Sequence, residues 1–491
     1  MNDDPTTPVV VWFRRDLRLA DHPALTAAVA AGAPVIAVFI HDEVVDSLGA
    51  AARMRMGMAV ATFGRVLAAR GSRLILRRGP ALPVLRALLA DTGARAVHWT
   101  RAYDPQSRAR DIDLKAALMA DGIAAHSHPG FLLREPWEVT TAEGGFYRVY
   151  TPFWRALSAR TIPPPLPPPE HLPAPAHWPA SDDLAHWAMD AAMRRGGPVV
   201  AGYQTVGEDA ALARLDAFVG ARIARYKTDR DFPAIPATSG LSENLTYGEI
   251  GPRTIWAAGQ RAMLEGAAGA EHFLKELVWR DFAWALMYHT PHIASANWRS
   301  EWDSFPWATD AGAPDVRAWM QGRTGVPFVD AAMRQMYVKG TMHNRARMIV
   351  ASYLTKHLMT HWKIGMDWFA DCLTDWDPAS NAMGWQWVAG SGPDAAPYFR
   401  VFNPVTQLDK FDPQGAYPRA WIAEGQRDPP ATALRYFDAI PRVWGLAPDA
   451  AYPAPLIDLA QGRLRALSAF AARGRLSTDR NSDETFSSGN P

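Results

Sequence analysis

The chain has 491 residues, 48% of them apolar, which is enough to bury more than one core, so two domains are expected. Lys and Arg number 51 against 50 Asp and Glu, so bulk attraction to a polyanion is excluded and any nucleic-acid contact must come from a local patch. A single cysteine, Cys372, excludes an intramolecular disulfide and a cysteine-ligated iron–sulfur cluster. No metal site is expected. Met1 to Pro8 lacks the pattern of a signal peptide and no run of about 18 apolar residues follows, so a cytoplasmic protein without membrane association is expected.

Short apolar runs at 9–13, 34–40, 73–76, 96–100 and 123–126 alternate with segments of helical period such as 53–70. This alternation predicts an N-terminal doubly wound parallel α/β domain over 1–135. Ligands of such sheets sit beyond the carboxyl ends of the strands, here Phe13-Arg14-Arg15-Asp16 and His41-Asp42. No Gly-x-Gly-x-x-Gly follows the first run, so the nicotinamide-type fingerprint is missing.

Residues 136–205 are expected to form an interdomain linker region, with a Pro-rich core at 161–180, TIPPPLPPPEHLPAPAHWPA, that forbids regular helix and favours a stiff extended chain. A polyproline ligand for a partner is the alternative. From about 182 to 475 the strand signals vanish. Aromatic-rich amphipathic segments at 209–226, 270–289, 329–337, 345–362 and 366–374 predict an all-α C-terminal domain. The polar stretch 476–491 reads as a frayed tail.

Most of the 20 tryptophans fall in the helical part, and bulky indoles there either fill a core or serve chemistry. The segment DWDPASNAMGWQW offers carboxylate acceptors at Asp375 and Asp377, an amide at Asn381, a side-chain-free position at Gly384 and two indoles at Trp385 and Trp387. A turn packed with aromatics is the alternative.

Taken in order from Val9 to about Trp421, the pieces WFRRDLRLADHPAL, TSGLS, ELVWRDF, GRTGVPFVDAAMRQM, MHNRARM and NAMGWQW resemble the photolyase/cryptochrome family, most closely its bacterial branch acting on cyclobutane pyrimidine dimers. The resemblance implies a helical FAD- and DNA-binding domain over 206–475 and a DNA partner containing pyrimidine dimers, with the dimer flipped out of the stack as photolyases do. By motif position, Tyr226, Thr238, Ser239, Leu241 and Ser242 would bind the FAD phosphates, helped by Arg280. Read without the family, the Ser and Thr residues would be helix caps. Gly240 stands where members commonly carry Arg, which puts a phosphate-side cation in doubt. Asp375, Asp377 and Asn381 would face the flavin and ribose, with Arg347 paired to Asp375.

The same resemblance assigns Glu276, Trp279, Asn344, Arg345, Met348 and Trp387 to the dimer and its DNA, with Arg230 as a further phosphate contact. Trp279 and Trp387 would sandwich the dimer, and Glu276, favoured as the neutral acid, would donate to a thymine carbonyl unless it merely pairs with Arg280 along the helix. Asn344 after His343 separates the chain from members acting on the six-four photoproduct, which usually carry a second histidine there. The implied reaction is a light-driven carbon–carbon lyase step in which reduced FAD lends one electron to the dimer and regains it. Trp385, Trp362 and Trp307 would carry electrons from the surface to oxidised flavin; three core tryptophans are the alternative.

A second antenna chromophore is expected near Asp104 to Asp111, where Ser107 replaces a Glu of some folate-binding members; methenyltetrahydrofolate, a deazaflavin, another flavin or none all fit. The chain is expected to act as a monomer. A cryptochrome-like blue-light receptor without repair activity is the alternative function.

Overall fold

A computed structural model describes residues 7–394 and 399–486, with side chains described through 473. The chain forms two compact units, one of Met1–Arg230, Ala237–Pro291 and Ala370–Ala379, the other of Asp231–Pro236, His292–Phe369 and Ser380–Pro491.

In the first unit, β1 (Val9–Phe13), β2 (Val35–His41), β3 (Leu74–Arg78), β4 (Ala96–Thr100) and β5 (Ala124–His128) form one parallel sheet in the order β3-β2-β1-β4-β5. Two of the expected runs coincide with β1 and β4, and the other three strands sit slightly further along the chain. β1 and β2 are buried at every residue because helices cover both faces, which is why they read as unbroken apolar runs. The pleat divides them: Val9, Val11 and Phe13 join Phe63 and Leu67 of the helix Ala50–Ala69 in one core, and Val10 and Trp12 join Leu85, Leu88, Leu114 and Leu118 in another.

Strand order reverses between β1 and β4, the place where sheets of this kind open a crevice. Ion pairs occupy that end. Arg14 meets Asp111 at 2.8 Å, and Arg110 meets both Asp111 at 2.9 Å and Asp42. Both guanidinium carbons lie over the Trp12 ring, at 4.6 and 4.8 Å from its centroid.

The Pro-rich segment carries no helix or strand, as its composition requires, and it docks on the sheet rather than swinging free. Leu166 and Pro173 carbonyls accept from Asp21 and Val35 N–H at 2.7 Å each, and Leu172 joins the sheet core. The surrounding stretch expected as linker also holds the helix Tyr150–Ser158, and its Trp187 and Met189 are core residues.

The second unit is helical. Asp330, near the start of the helix Pro327–Lys339, accepts from Thr324 N–H and Oγ1 (2.7 Å each), Gly325 N–H (3.0 Å) and Tyr452 O–H (2.6 Å). Arg334 of the same helix pairs with both oxygens of buried Glu424, at 2.5 and 2.9 Å.

One expectation is corrected in this unit: 345–362 is not a single helix. The helix Asn344–Ser352 gives way to a π turn, Tyr353–His357, and a new helix, Trp362–Cys372, begins after Met359 adopts φ +53°. The last helix spans Leu459–Phe486 and so covers the start of the stretch expected as a tail; 487–491 lie outside the described residues. Among the described residues no helix is long and apolar enough to cross a membrane.

Candidate functional site

Within the first unit, the helix Ala270–His289 presents Glu276, Trp279 and Arg280. Residues three and four apart share a helix face, so Glu276 and Trp279 emerge together. Arg230, just after the short helix Tyr226–Asp229, donates to Glu276 and lies over the Tyr226 ring at 5.4 Å. Tyr226 itself is buried against Phe218 and Phe273. Glu276 is thus paired with Arg230 and not with Arg280, the partner that the alternative reading gave it along the helix.

Trp279 lies face to face with Tyr150, ring centroids 3.6 Å apart and planes 8° from parallel. Tyr150 is fixed by its hydroxyl, which donates to the Lys275 carbonyl at 2.6 Å. Sequence reasoning missed Tyr150, because it lies in a stretch expected to be linker. Its ring begins a helix, Tyr150–Ser158, whose buried residues face the 270–289 helix through Phe153 and Phe282, 5.3 Å apart.

Arg280 is buried. Its Nη1 donates to the Phe131 carbonyl at 2.8 Å, its guanidinium covers the Phe131 ring at 4.3 Å, and its Nε lies 4.0 Å from Asp377. Asp377 accepts from Trp284 Nε1 at 2.9 Å. Burial lowers the Arg280 pKa from its usual value, with Asp377 and Asp281 opposing. Asp375 is also buried, and its carbonyl accepts from the Thr246 hydroxyl at 3.4 Å.

The segment Thr238 to Ser242 leads into the short helix Ser242–Thr246, whose N-cap, Leu241, makes no side-chain cap bond. Ser239 Oγ instead accepts from Leu241 N–H at 3.4 Å. Gly240 adopts φ +67°, and its carbonyl accepts from Arg214 of the helix Glu208–Ala221. Arg214 also bonds Thr205 and Asn244 and lies 3.6 Å from Glu243, so a cation does stand beside the side-chain-free position. Hydroxyls, backbone N–H groups and a guanidinium are a donor set that suits phosphate. Nothing in the sequence pattern marked Arg214.

In the second unit, exposed Asn344 opens the helix Asn344–Ser352, capped by His343 Nδ1 accepting from Arg345 N–H at 3.2 Å. Arg345 meets Asp231 at 2.7 Å, covers the Phe411 ring at 4.5 Å and points Nη1 at Met348 Sδ, 3.9 Å away. It is therefore paired rather than a free surface charge. Arg347 Nε donates to the Met342 carbonyl at 2.9 Å.

Asn381, Trp385 and Trp387 lie on the helix Pro378–Ala389 rather than in a turn. Rings two apart on a helix point to different sides. Trp387 Nε1 donates to the Asp394 carbonyl at 2.9 Å, whereas Trp385 is buried against Phe369, 4.9 Å between centroids. A Cβ at Gly384 would meet no described protein atom within 4 Å, so its small size serves no packing contact within the described chain. Trp385 also leans on Gly365, where a Cβ would lie 2.1 Å from its Cη2, and Gly365 shares a helix face with Trp362. Trp362 and Trp307 donate to Asn297 Oδ1 (2.8 Å) and the Thr355 carbonyl (2.9 Å). Trp307 is only 8% exposed, because Phe305 and a stacked Trp302 cover it.

Comparison with known proteins bears on these residues. A family model described as the FAD binding domain of DNA photolyase matches 273–472, and one described as DNA photolyase matches 9–174. A deoxyribodipyrimidine photo-lyase of Agrobacterium fabrum is 44% identical over 473 residues, covering 95% of this chain and 98% of that one. Among solved structures, a bacterial class III photolyase from Agrobacterium tumefaciens matches at TM-score 0.87 and 43% identity, covering 96% of this chain and 98% of that chain. An archaeal photolyase from Sulfolobus tokodaii, solved with two FAD molecules, matches at TM-score 0.78 and 26% identity, covering 95% and 100%.

Proposed function

Because the chain belongs to the DNA photolyase family, we propose that it repairs cyclobutane pyrimidine dimers in DNA under light, as a deoxyribodipyrimidine photo-lyase with FAD as its cofactor. The observation that carries this is the end-to-end likeness to the Agrobacterium fabrum enzyme, which leaves neither domain unmatched. Reduced FAD, when bound, supplies a light-promoted electron, and the protein's own groups then have binding and positioning to do.

Thr238, Ser239, Ser242 and the Arg214 guanidinium hold the phosphates, while Asp377, fixed by Trp284 and faced by Arg280, accepts from the ribose or ring. Asp375, Asn381 and Arg347 complete the polar surroundings of the flavin. Trp279, stiffened by Tyr150, and Trp387, tied to Asp394, offer aromatic faces to the apolar dimer. Glu276 and Asn344 hydrogen-bond its base edges, Met348 adds apolar contact, and Arg230 and Arg345 meet DNA phosphates by exchanging their carboxylate partners. Trp385, Trp362 and Trp307 pass electrons inward when the flavin is oxidised.

A second chromophore, as in the Sulfolobus tokodaii structure, would use the surface where Arg108 covers the Tyr288 ring at 4.1 Å and Trp137 lies 5.5 Å from Tyr288. We infer action as a monomer in the cytoplasm. Illuminating a dimer-containing oligonucleotide with the purified protein tests the proposal: restored pyrimidines in the light, and none in the dark, are expected. Tight binding of FAD without light-dependent repair would favour a receptor instead.

A further inference from the structure

An imidazole stands against two of the indoles assigned to electron transfer. The His361 ring lies 5.4 Å from Trp362 and 5.3 Å from Trp307, tilted at 33° to the first and edge-on at 70° to the second. All three rings are held. Trp362 donates to Asn297 Oδ1, Asn297 in turn donates to Asp303 Oδ1 at 2.8 Å, and Trp307 donates to the Thr355 carbonyl. His361 is anchored through its backbone N–H to the Ala308 carbonyl (2.9 Å), and its Nδ1 accepts from Lys363 N–H at 3.2 Å. An Nδ1 that accepts leaves the proton of the neutral ring on Nε2.

We propose that His361 bridges Trp362 and Trp307, letting an electron pass between them while its ring is neutral and opposing that passage once its ring is protonated. This rests on the assignment of Trp385, Trp362 and Trp307 as an electron chain. FAD, when bound in its oxidised form, would supply the light-driven acceptor for the first electron leaving the chain. In the step between the two indoles, Trp307 loses one electron, Trp362 regains one, and His361 changes neither its electrons nor its protons. The migrating deficit is a positive charge on an indole. An imidazolium in ring contact makes that charge costlier, whereas a neutral imidazole does not and keeps its contact with both indoles.

The surroundings set where the change falls. Half-burial lowers the His361 pKa from its ordinary value, and Lys363, on the helix that follows, lowers it too. Asp303, on the loop that carries Trp307, pulls the other way. Lys363 is turned to the Ser295 carbonyl, 2.6 Å from its Nζ. The ring is therefore biased toward its neutral form at neutral pH and takes up a proton only on acidification.

The test follows photoreduction of FAD in the holoprotein under blue light with an external reductant, together with the transient absorption of oxidised tryptophan, from about pH 5 to about pH 8. Wild type should slow by about threefold or more toward the acid end, with a midpoint matching the His361 ring titration seen by NMR. His361→Phe keeps a ring without a titrating group and should lose this pH dependence. A variant profile that follows wild type, or a midpoint far from that of the ring, would overturn the proposal. Trp362→Phe separates the two layers: if it photoreduces like wild type, the electron chain itself is misassigned, whereas slow photoreduction there with an unaltered His361→Phe profile overturns only the role of His361.

Discussion

The Tyr150 and Trp279 rings stack at 3.6 Å, so the indole expected to meet the dimer is already backed by a second aromatic plane. A face-to-face pair gains little from the ring quadrupoles and is held by the apolar area it buries, about 25 cal/mol per Å². Stiffening Trp279 before DNA arrives spares that ordering cost at binding. Tyr150→Ala should therefore raise the Kd for a dimer-containing oligonucleotide by about two- to tenfold, with FAD content unchanged. Tyr150→Phe, which keeps the ring and loses only the bond to the Lys275 carbonyl, should bind nearly as wild type. Fluorescence anisotropy on the two variants measures this, and equal Kd values for Ala and wild type would remove Tyr150 from the binding surface.

Arg345 is held by Asp231 at 2.7 Å, so its use on a DNA phosphate requires one anion to replace another. Asp231→Asn should strengthen binding to damaged and undamaged DNA alike, by about two- to fivefold at low salt. Arg345→Ala should weaken both and reduce the slope of log affinity against log salt by about one. If Arg345→Ala erased only the preference for damaged DNA, the residue would be reading bases.

The sheet of the first unit was legible because a parallel sheet covered on both faces writes itself as apolar runs, and Val9 to Phe13 could hardly be anything else. The helix over 270–289 was legible at both ends. The break near Met359 was not, since it depends on partners distant in sequence: Ala308 N–H bonds the Met359 carbonyl at 2.8 Å and Ala308 pairs with Thr360 as an isolated bridge. Nor could GRTGVPFVDAAMRQM reveal that Asp330 and Arg334 spend their polar atoms on Thr324, Tyr452 and Glu424, which makes that motif a clamp of the helical unit. For the proposed site, motif position named Glu276 and Trp279 but not Arg230 as the partner of one or Tyr150 as the partner of the other. Pairings between separate elements leave no local period to read.

Gly365 has no room for a side chain, because Trp385 Cη2 and Cζ3 would lie 2.1 and 2.5 Å from a Cβ there. Gly365→Ala must therefore move the indole or the helix Trp362–Cys372, a form of overpacking that costs about 1–3 kcal/mol. Because Trp362 lies on the same helix face, the same shift should lengthen the step between Trp385 and Trp362 and slow photoreduction. Denaturant titration and blue-light photoreduction of one preparation measure the two effects. Lost stability with an unaltered photoreduction rate would mean that Gly365 matters only for packing.

Asp281 sets a pH dependence of stability whose sign follows from its surroundings. It lies buried on the 270–289 helix, its Oδ2 accepting from Leu133 and Arg134 N–H at 2.8 and 3.3 Å, with Oδ1 3.9 Å from Arg280. Burial pushes its carboxyl up to about 7, against the opposing pull of Arg280 and the two backbone donors. A carboxyl whose pKa is raised on folding holds its proton in the native state at pH values where the unfolded chain has lost it. Its contribution to stability is thus complete below the unfolded value near 4 and is lost as pH rises through about 7. Asp281→Asn keeps an oxygen for the two backbone donors and removes the charge that burial penalises. The variant should melt near wild type at about pH 5 and above it at about pH 8, so that the difference between their Tm values grows as pH rises. Thermal melts of both proteins at the two pH values decide the matter. A difference that shrinks or reverses toward alkaline pH would show that Arg280 holds Asp281 as a stabilising carboxylate instead.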